Sequence, residues 1–87
     1  MVIRIGFTSA FLHQADDLSS KLQEEIWERI DLFRDTKNHR FLKVHKLHGR
    51  MSDRYSFSVN YRIRIVFSYV KGNEVTLHGV GDHDIYE

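Results

Sequence analysis

The sequence predicts a single α+β domain over residues 1–87: an N-terminal strand, a two-helix hairpin, then an antiparallel three-stranded meander. Three observations predict it. The first half carries apolar residues at helical spacing. The last third alternates apolar and polar residues between short turns. The length of 87 residues, 41% of them hydrophobic, suits one domain with a small core and is too apolar for a disordered chain.

Residues 2–7 read Val-Ile-Arg-Ile-Gly-Phe, a β-branched run that makes a short strand. Thr8 or Ser9 then caps a helix in which Phe11, Ala15 and Leu18 recur on one side. A second helix carries the stripe Leu22, Ile26, Ile30 and Phe33, widened by Trp27. Ser20 and Gln23 have the spacing of a capping box, which starts this helix near Ser20. Glu24, Glu25 and Glu28 lie early and Arg34 late, as the helix dipole favours.

Residues 36–54 form a basic connection whose apolar anchors are Phe41, Leu42, Val44 and Leu47, with a short strand in 42–47. Gly49, Ser52 and Asp53 supply turn chemistry. Residues 55–60 alternate. In 61–70, Tyr61, Ile63, Ile65, Phe67 and Tyr69 share one face, and Arg62, Arg64, Val66, Ser68 and Val70 the other. Residues 71–74 make a turn, and 75–80 alternate again. A two-helix hairpin covers one face of so small a sheet. The other face, with Arg62 and Arg64, is then a concave anion site.

Charge is blocked along the chain. Net charge is +1, but residues 1–36 carry −3, residues 37–71 carry +8 and residues 72–87 carry −4. Three histidines sit in the basic block. Such a block sets up a local field suited to a phosphate-bearing partner, and equally describes a solvated basic surface. The chain has no cysteine, which excludes disulfides, thiolate metal sites and cysteine nucleophiles. No apolar run approaches the ~20 residues of a membrane span, and the start of the chain lacks signal-peptide form, so a soluble cytoplasmic protein is expected.

No nucleotide-binding loop or serine-nucleophile elbow is present, and no cofactor is expected. His45 and His48, and the run Asp82-His83-Asp84, lack the further ligands at fixed spacing that a metal site needs, so none is expected. Phosphodiester cleavage needs a base, an acid and cations for the phosphate. Histidine titrates near neutrality and serves either proton role. Arginine stays charged and forks onto two oxygens. The chain offers His45, His48 and His83, the arginines Arg50, Arg54, Arg62 and Arg64, and Lys43 and Lys46. Composition leaves catalysis and simple phosphate binding both open.

Four segments in order carry a resemblance: Lys46-Leu47-His48-Gly49, residues 55–60, Arg64-Ile65-Val66-Phe67, and Gly81-Asp82-His83-Asp84-Ile85-Tyr86. Together they resemble the RelE/ParE superfamily of toxin–antitoxin toxins. The element order agrees across the chain, and the second half carries the motifs. The resemblance implies an mRNA endonuclease of the RelE/YoeB type acting on the ribosome, which drives the RNA 2′-hydroxyl onto the adjacent phosphate. It implies a cognate antitoxin as partner, operator DNA reached only through that antitoxin, and no membrane association.

Residue by residue, the resemblance makes Arg64 the stabiliser of the phosphorane-like transition state. His83 becomes the general acid, and Tyr86 the late tyrosine that stacks on a base or orients the phosphate. His45 falls near the family's general base. Arg62, Lys46, His48, Lys43, Arg50 and Arg54 would contact RNA phosphates. The chain departs from the pattern at Ser56 and Ser58, where RelE-like members place lysines. Two alternatives stay open: a ParE-like inhibitor of gyrase, and a module that only binds its antitoxin.

Overall fold

A computed structural model of the chain describes residues 2–82. The elements in order are β1 (Arg4–Phe7), α1 (Ser9–Asp16), α2 (Ser20–Phe33), β2 (His45–Lys46), β3 (Tyr55–Ser58), β4 (Arg64–Lys71) and β5 (Glu74–Gly81). The expected meander is present as β3-β4-β5, antiparallel throughout. It belongs to a larger, mixed sheet of order β1-β5-β4-β3-β2, because β1 pairs parallel to β5.

The helices begin where side chains replace missing backbone acceptors. Thr8 caps α1 by accepting from the Phe11 amide. The cap of α2 is Ser19, one residue earlier than the capping-box spacing suggested, and it accepts from the Leu22 amide. Gln23 reaches the carbonyls of Asp16 and Leu18 instead, which ties the two helices together.

One face of the sheet meets the helices. Ile26, Ile30 and Phe33 of α2 and Phe11 and Ala15 of α1 are buried against Phe57, Ile65, Phe67, Val75 and Leu77. Phe33 stacks on Phe57 with ring centres 4.3 Å apart. Trp27 widens the stripe only to the rim. It stands edge-on to Phe7 at 5.5 Å and remains 42% exposed. In the basic connection Leu42 is the buried anchor, whereas Phe41 is 69% exposed and anchors nothing.

At one place a side chain stands in for a strand. β1 ends opposite Leu77, leaving the far half of β5 without a partner on that side. The Gln14 side chain of α1 accepts from the Val80 amide at 2.9 Å there. The β4–β5 turn is tight. Lys71 pairs with Glu74, and Gly72 takes the left-handed φ of 54° that the turn requires.

Candidate functional site

Arg64 opens β4 and pairs across the sheet with Ser58 of β3. Directly paired residues share a face, so both point away from the helices. The Arg64 guanidinium donates from Nη1 to the Ser58 hydroxyl at 2.5 Å. It stands at a cleft of about 370 Å³ also lined by Arg29, Lys43, Phe41 and Tyr61. Three side chains of this cleft are cationic. Arg29 reaches it from α2, with Nε donating to the Val59 carbonyl at 2.9 Å and Nη1 to Glu28 at 3.0 Å. Lys43 reaches it from a turn in which its own backbone is left-handed, φ 59°.

His45 joins this face from β2. It pairs with Ser56, which lies two residues before Ser58 on the same strand face. By strand spacing and rise, His45 and Arg64 are roughly 12 Å apart at Cα. The His45 Nδ1 lies 2.8 Å from the Lys43 carbonyl. A carbonyl only accepts, so Nδ1 carries the proton and Nε2 is the basic nitrogen. The ring is exposed. Lys46 pairs with Tyr55 and therefore lies on the opposite face from His45.

The other sequence-selected cations are dispersed. Arg62 was expected to share a strand face with Arg64. It sits instead in the turn before β4 and lines a separate cleft with Leu18, Leu22 and Asp82. The cause is Asn60, whose Oδ1 accepts from the Arg62 and Ile63 amides at 2.8 and 2.9 Å and turns the chain. That same turn takes Tyr61 off the core face and leaves it 95% exposed. His48 and Arg50 line a third cleft around residues 49–51. His83 and Tyr86 lie outside the described residues.

Arg54 makes a different cluster. Its Nη1 lies 2.9 Å from His78 Nε2, and the Ser68 hydroxyl lies 2.7 Å from the same nitrogen. Arginine can only donate, so Nε2 presents its lone pair and the ring is neutral. Burial, and next the Arg54 charge, push the His78 pKa below its ordinary value. Among the described residues, no three His, Asp or Glu side chains gather as a metal ion would need. No helix among them is long and apolar enough to cross a membrane.

Sequence reasoning missed Arg29, Phe41, Tyr61 and His78. Asn60 was the available signal for Tyr61, since asparagine favours turns that capture following amides. Nothing local marks Arg29, whose place depends on how α2 packs.

A five-stranded mixed sheet with a helical hairpin on one face is a fold that this chain shares with solved toxins of toxin–antitoxin systems. YafQ from E. coli superposes with a TM-score of 0.78 over 97% of both chains, at 9% identity. The toxin–antitoxin complex RelBE2 from Mycobacterium tuberculosis gives 0.77 over 95% of this chain and 93% of that one, at 14% identity. The archaeal RelE–RelB complex from Pyrococcus horikoshii gives 0.73 over 94% and 96%, at 16% identity. No model of a known protein family matches the sequence, and no curated protein sequence does either. The likeness is therefore one of fold, over essentially the full length of each chain.

Proposed function

We propose that this chain is the toxin of a toxin–antitoxin pair and cleaves mRNA on the ribosome. The observation that carries the reading is Arg64, held by Ser58 at the mouth of a cationic cleft, on the sheet face that also bears His45. The RelE-type fold supports the toxin role, and relatives of this fold are seen with antitoxins bound.

In this reading Nε2 of His45 takes the proton of an RNA 2′-hydroxyl. The 2′-oxygen attacks the adjacent phosphorus, and the bond from phosphorus to the 5′-oxygen breaks. His83 gives that oxygen its proton, leaving a 2′,3′-cyclic phosphate and a 5′-hydroxyl. Arg64 stabilises the extra negative charge of the five-coordinate phosphorus, with Lys43 and Arg29 adding to the field. Ser58 replaces a family lysine and orients the arginine that remains. Tyr86 orients the phosphate or stacks on a base. Arg62, Lys46, His48, Arg50 and Arg54, being dispersed, serve the ribosome and flanking phosphates rather than the scissile one.

The antitoxin would cover the helical hairpin and the sheet. Phe7 is exposed against Trp27 and Leu12 is exposed on α1, which offers apolar surface for a partner helix, and acidic partner residues would meet the basic block. Operator DNA would be reached through the antitoxin. The cell compartment is that of the ribosome, the cytoplasm.

The test is to induce the protein in growing cells beside Arg64→Ala and His83→Ala and to map mRNA 5′ ends. Codon-phased cuts that fall by ~10²-fold or more in Arg64→Ala are expected. Growth arrest with intact mRNA would point to gyrase instead. Neither arrest nor cuts from a folded protein would leave only antitoxin binding.

A further inference from the structure

Two aromatic rings sit where the fold has no use for them. Tyr61 is 95% exposed and Phe41 69% exposed, and both line the Arg64 cleft from different loops. Neither makes a ring contact with another aromatic side chain among the described residues.

The backbone under each ring is nevertheless fastened. On one side the Asn60 side chain holds the Arg62 and Ile63 amides, and the Val59 amide donates to the Ile63 carbonyl at 2.9 Å. Arg29 ties the Val59 carbonyl to α2. On the other side Leu42 is buried and its carbonyl accepts from the Ser58 amide at 2.8 Å. Two exposed rings on braced loops, around three cations, match a ligand that is both planar and anionic. One unit of a single-stranded nucleic acid is such a ligand. A duplex keeps its bases stacked inside and offers no free ring face.

We propose that Phe41 and Tyr61 form a stacking site for one unpaired nucleobase, beside the phosphate held by Arg64. The site rests on the reading that the chain binds RNA, and it adds a substrate-positioning role to residues outside the proton-transfer machinery. Stacking is tolerant of base identity, because every base has a π-face. The site therefore raises affinity and fixes register without selecting a codon by itself.

The probe is an RNA trinucleotide with 2-aminopurine at its middle position, titrated at low salt against the full chain. Stacking on the wild type is expected to quench the fluorescence. Tyr61→Leu and Phe41→Leu should each weaken binding about tenfold and reduce the quench, with thermal unfolding unchanged. Tyr61→Phe should restore both, since the ring and not the hydroxyl stacks. Removing the middle base should cost the wild type as much as Tyr61→Leu. Binding unchanged in both leucine variants but lost in Arg64→Ala would overturn the stacking site and leave the RNA reading standing. No binding by the wild type would overturn the stacking site, while the RNA reading stands or falls separately on the mRNA cuts mapped in cells.

Discussion

Asn60 makes a sharp test of how the loop between β3 and β4 is held. Its Oδ1 accepts from two amides, and its Nδ2 donates to Glu25 Oε2 at 3.2 Å. Asn60→Ala removes all three bonds. The Arg62 amide is at an exposed residue and turns to water at little cost. Ile63 is 6% exposed, so its amide loses an acceptor that water does not easily replace. That orphaned donor, with the lost Glu25 contact, costs about 1.5–2.5 kcal/mol. For a domain of this size the melting temperature should fall by roughly 6–20 °C. Asn60→Asp keeps both amide bonds and sets a carboxylate against Glu25. It should lose less than about 1 kcal/mol, most of which Glu25→Gln restores. Thermal and urea unfolding measure the stability, and amide exchange at Ile63 reports the loop directly. Asn60→Ala should speed that exchange and weaken RNA binding together. A loss under about 0.5 kcal/mol with unchanged exchange at Ile63 would refute the argument that this side chain holds the turn.

Two further expectations concern β5. An added Cβ at Gly79 would sit 3.0 Å from Gln14 Oε1 and press it aside by a few tenths of an ångström, straining its bond to the Val80 amide. Gly79→Ala and Gln14→Met should each cost about 1–2 kcal/mol, and the double variant little more than either, as a double-mutant cycle by urea unfolding would show. His78 should titrate by NMR below its ordinary 6.5, because burial and then Arg54 disfavour the cation. The unfolded chain then binds more protons than the folded one between the two midpoints. This contribution to stability is complete above pH 6.5 and is lost as pH falls through the folded midpoint. His78→Gln should flatten that part of the stability profile, and a parallel profile would contradict the arrangement.

Alternation made β4 legible because its helix-side face lies in the core, even though Val66 on the other face is buried as well. Ile63, Ile65 and Phe67 are in the core, and Arg64 lies on the other side. The same rule fails at Tyr61, two residues earlier, since alternation holds only while the backbone stays extended. Asn60 offers the following amides a side-chain acceptor and ends that condition. The parallel pairing of β1 with β5 had no local signal. It joins residues 70 apart and depends on the β4–β5 turn, where the Asn73 carbonyl accepts from the Arg4 amide at 2.9 Å. Helical periodicity placed Ile26, Ile30 and Phe33 correctly but could not say where the sheet ends, so Trp27 lies at the rim.

The charge pattern along the chain misplaced part of the field for a related reason. Summing by segment put the basic field for an anion within residues 37–71 and counted residues 1–36 as acidic. In the fold, Arg29 of that acidic segment supplies one wall of the cleft. It is there because the Val59 carbonyl, at a buried residue in the loop before β4, needs a donor that α2 can reach. A bond required by the fold thus fixes a charge useful to the site. Arg29→Ala would remove both at once, and its effect on RNA could not be read as electrostatics alone. Arg64 differs: its hydrogen bond goes to a partly exposed serine hydroxyl, which water can replace. Comparing the two separates the roles. Arg64→Ala should lower activity at nearly constant stability, whereas Arg29→Ala should lower both, and equal destabilisation in the two would mean that Arg64 is a structural residue.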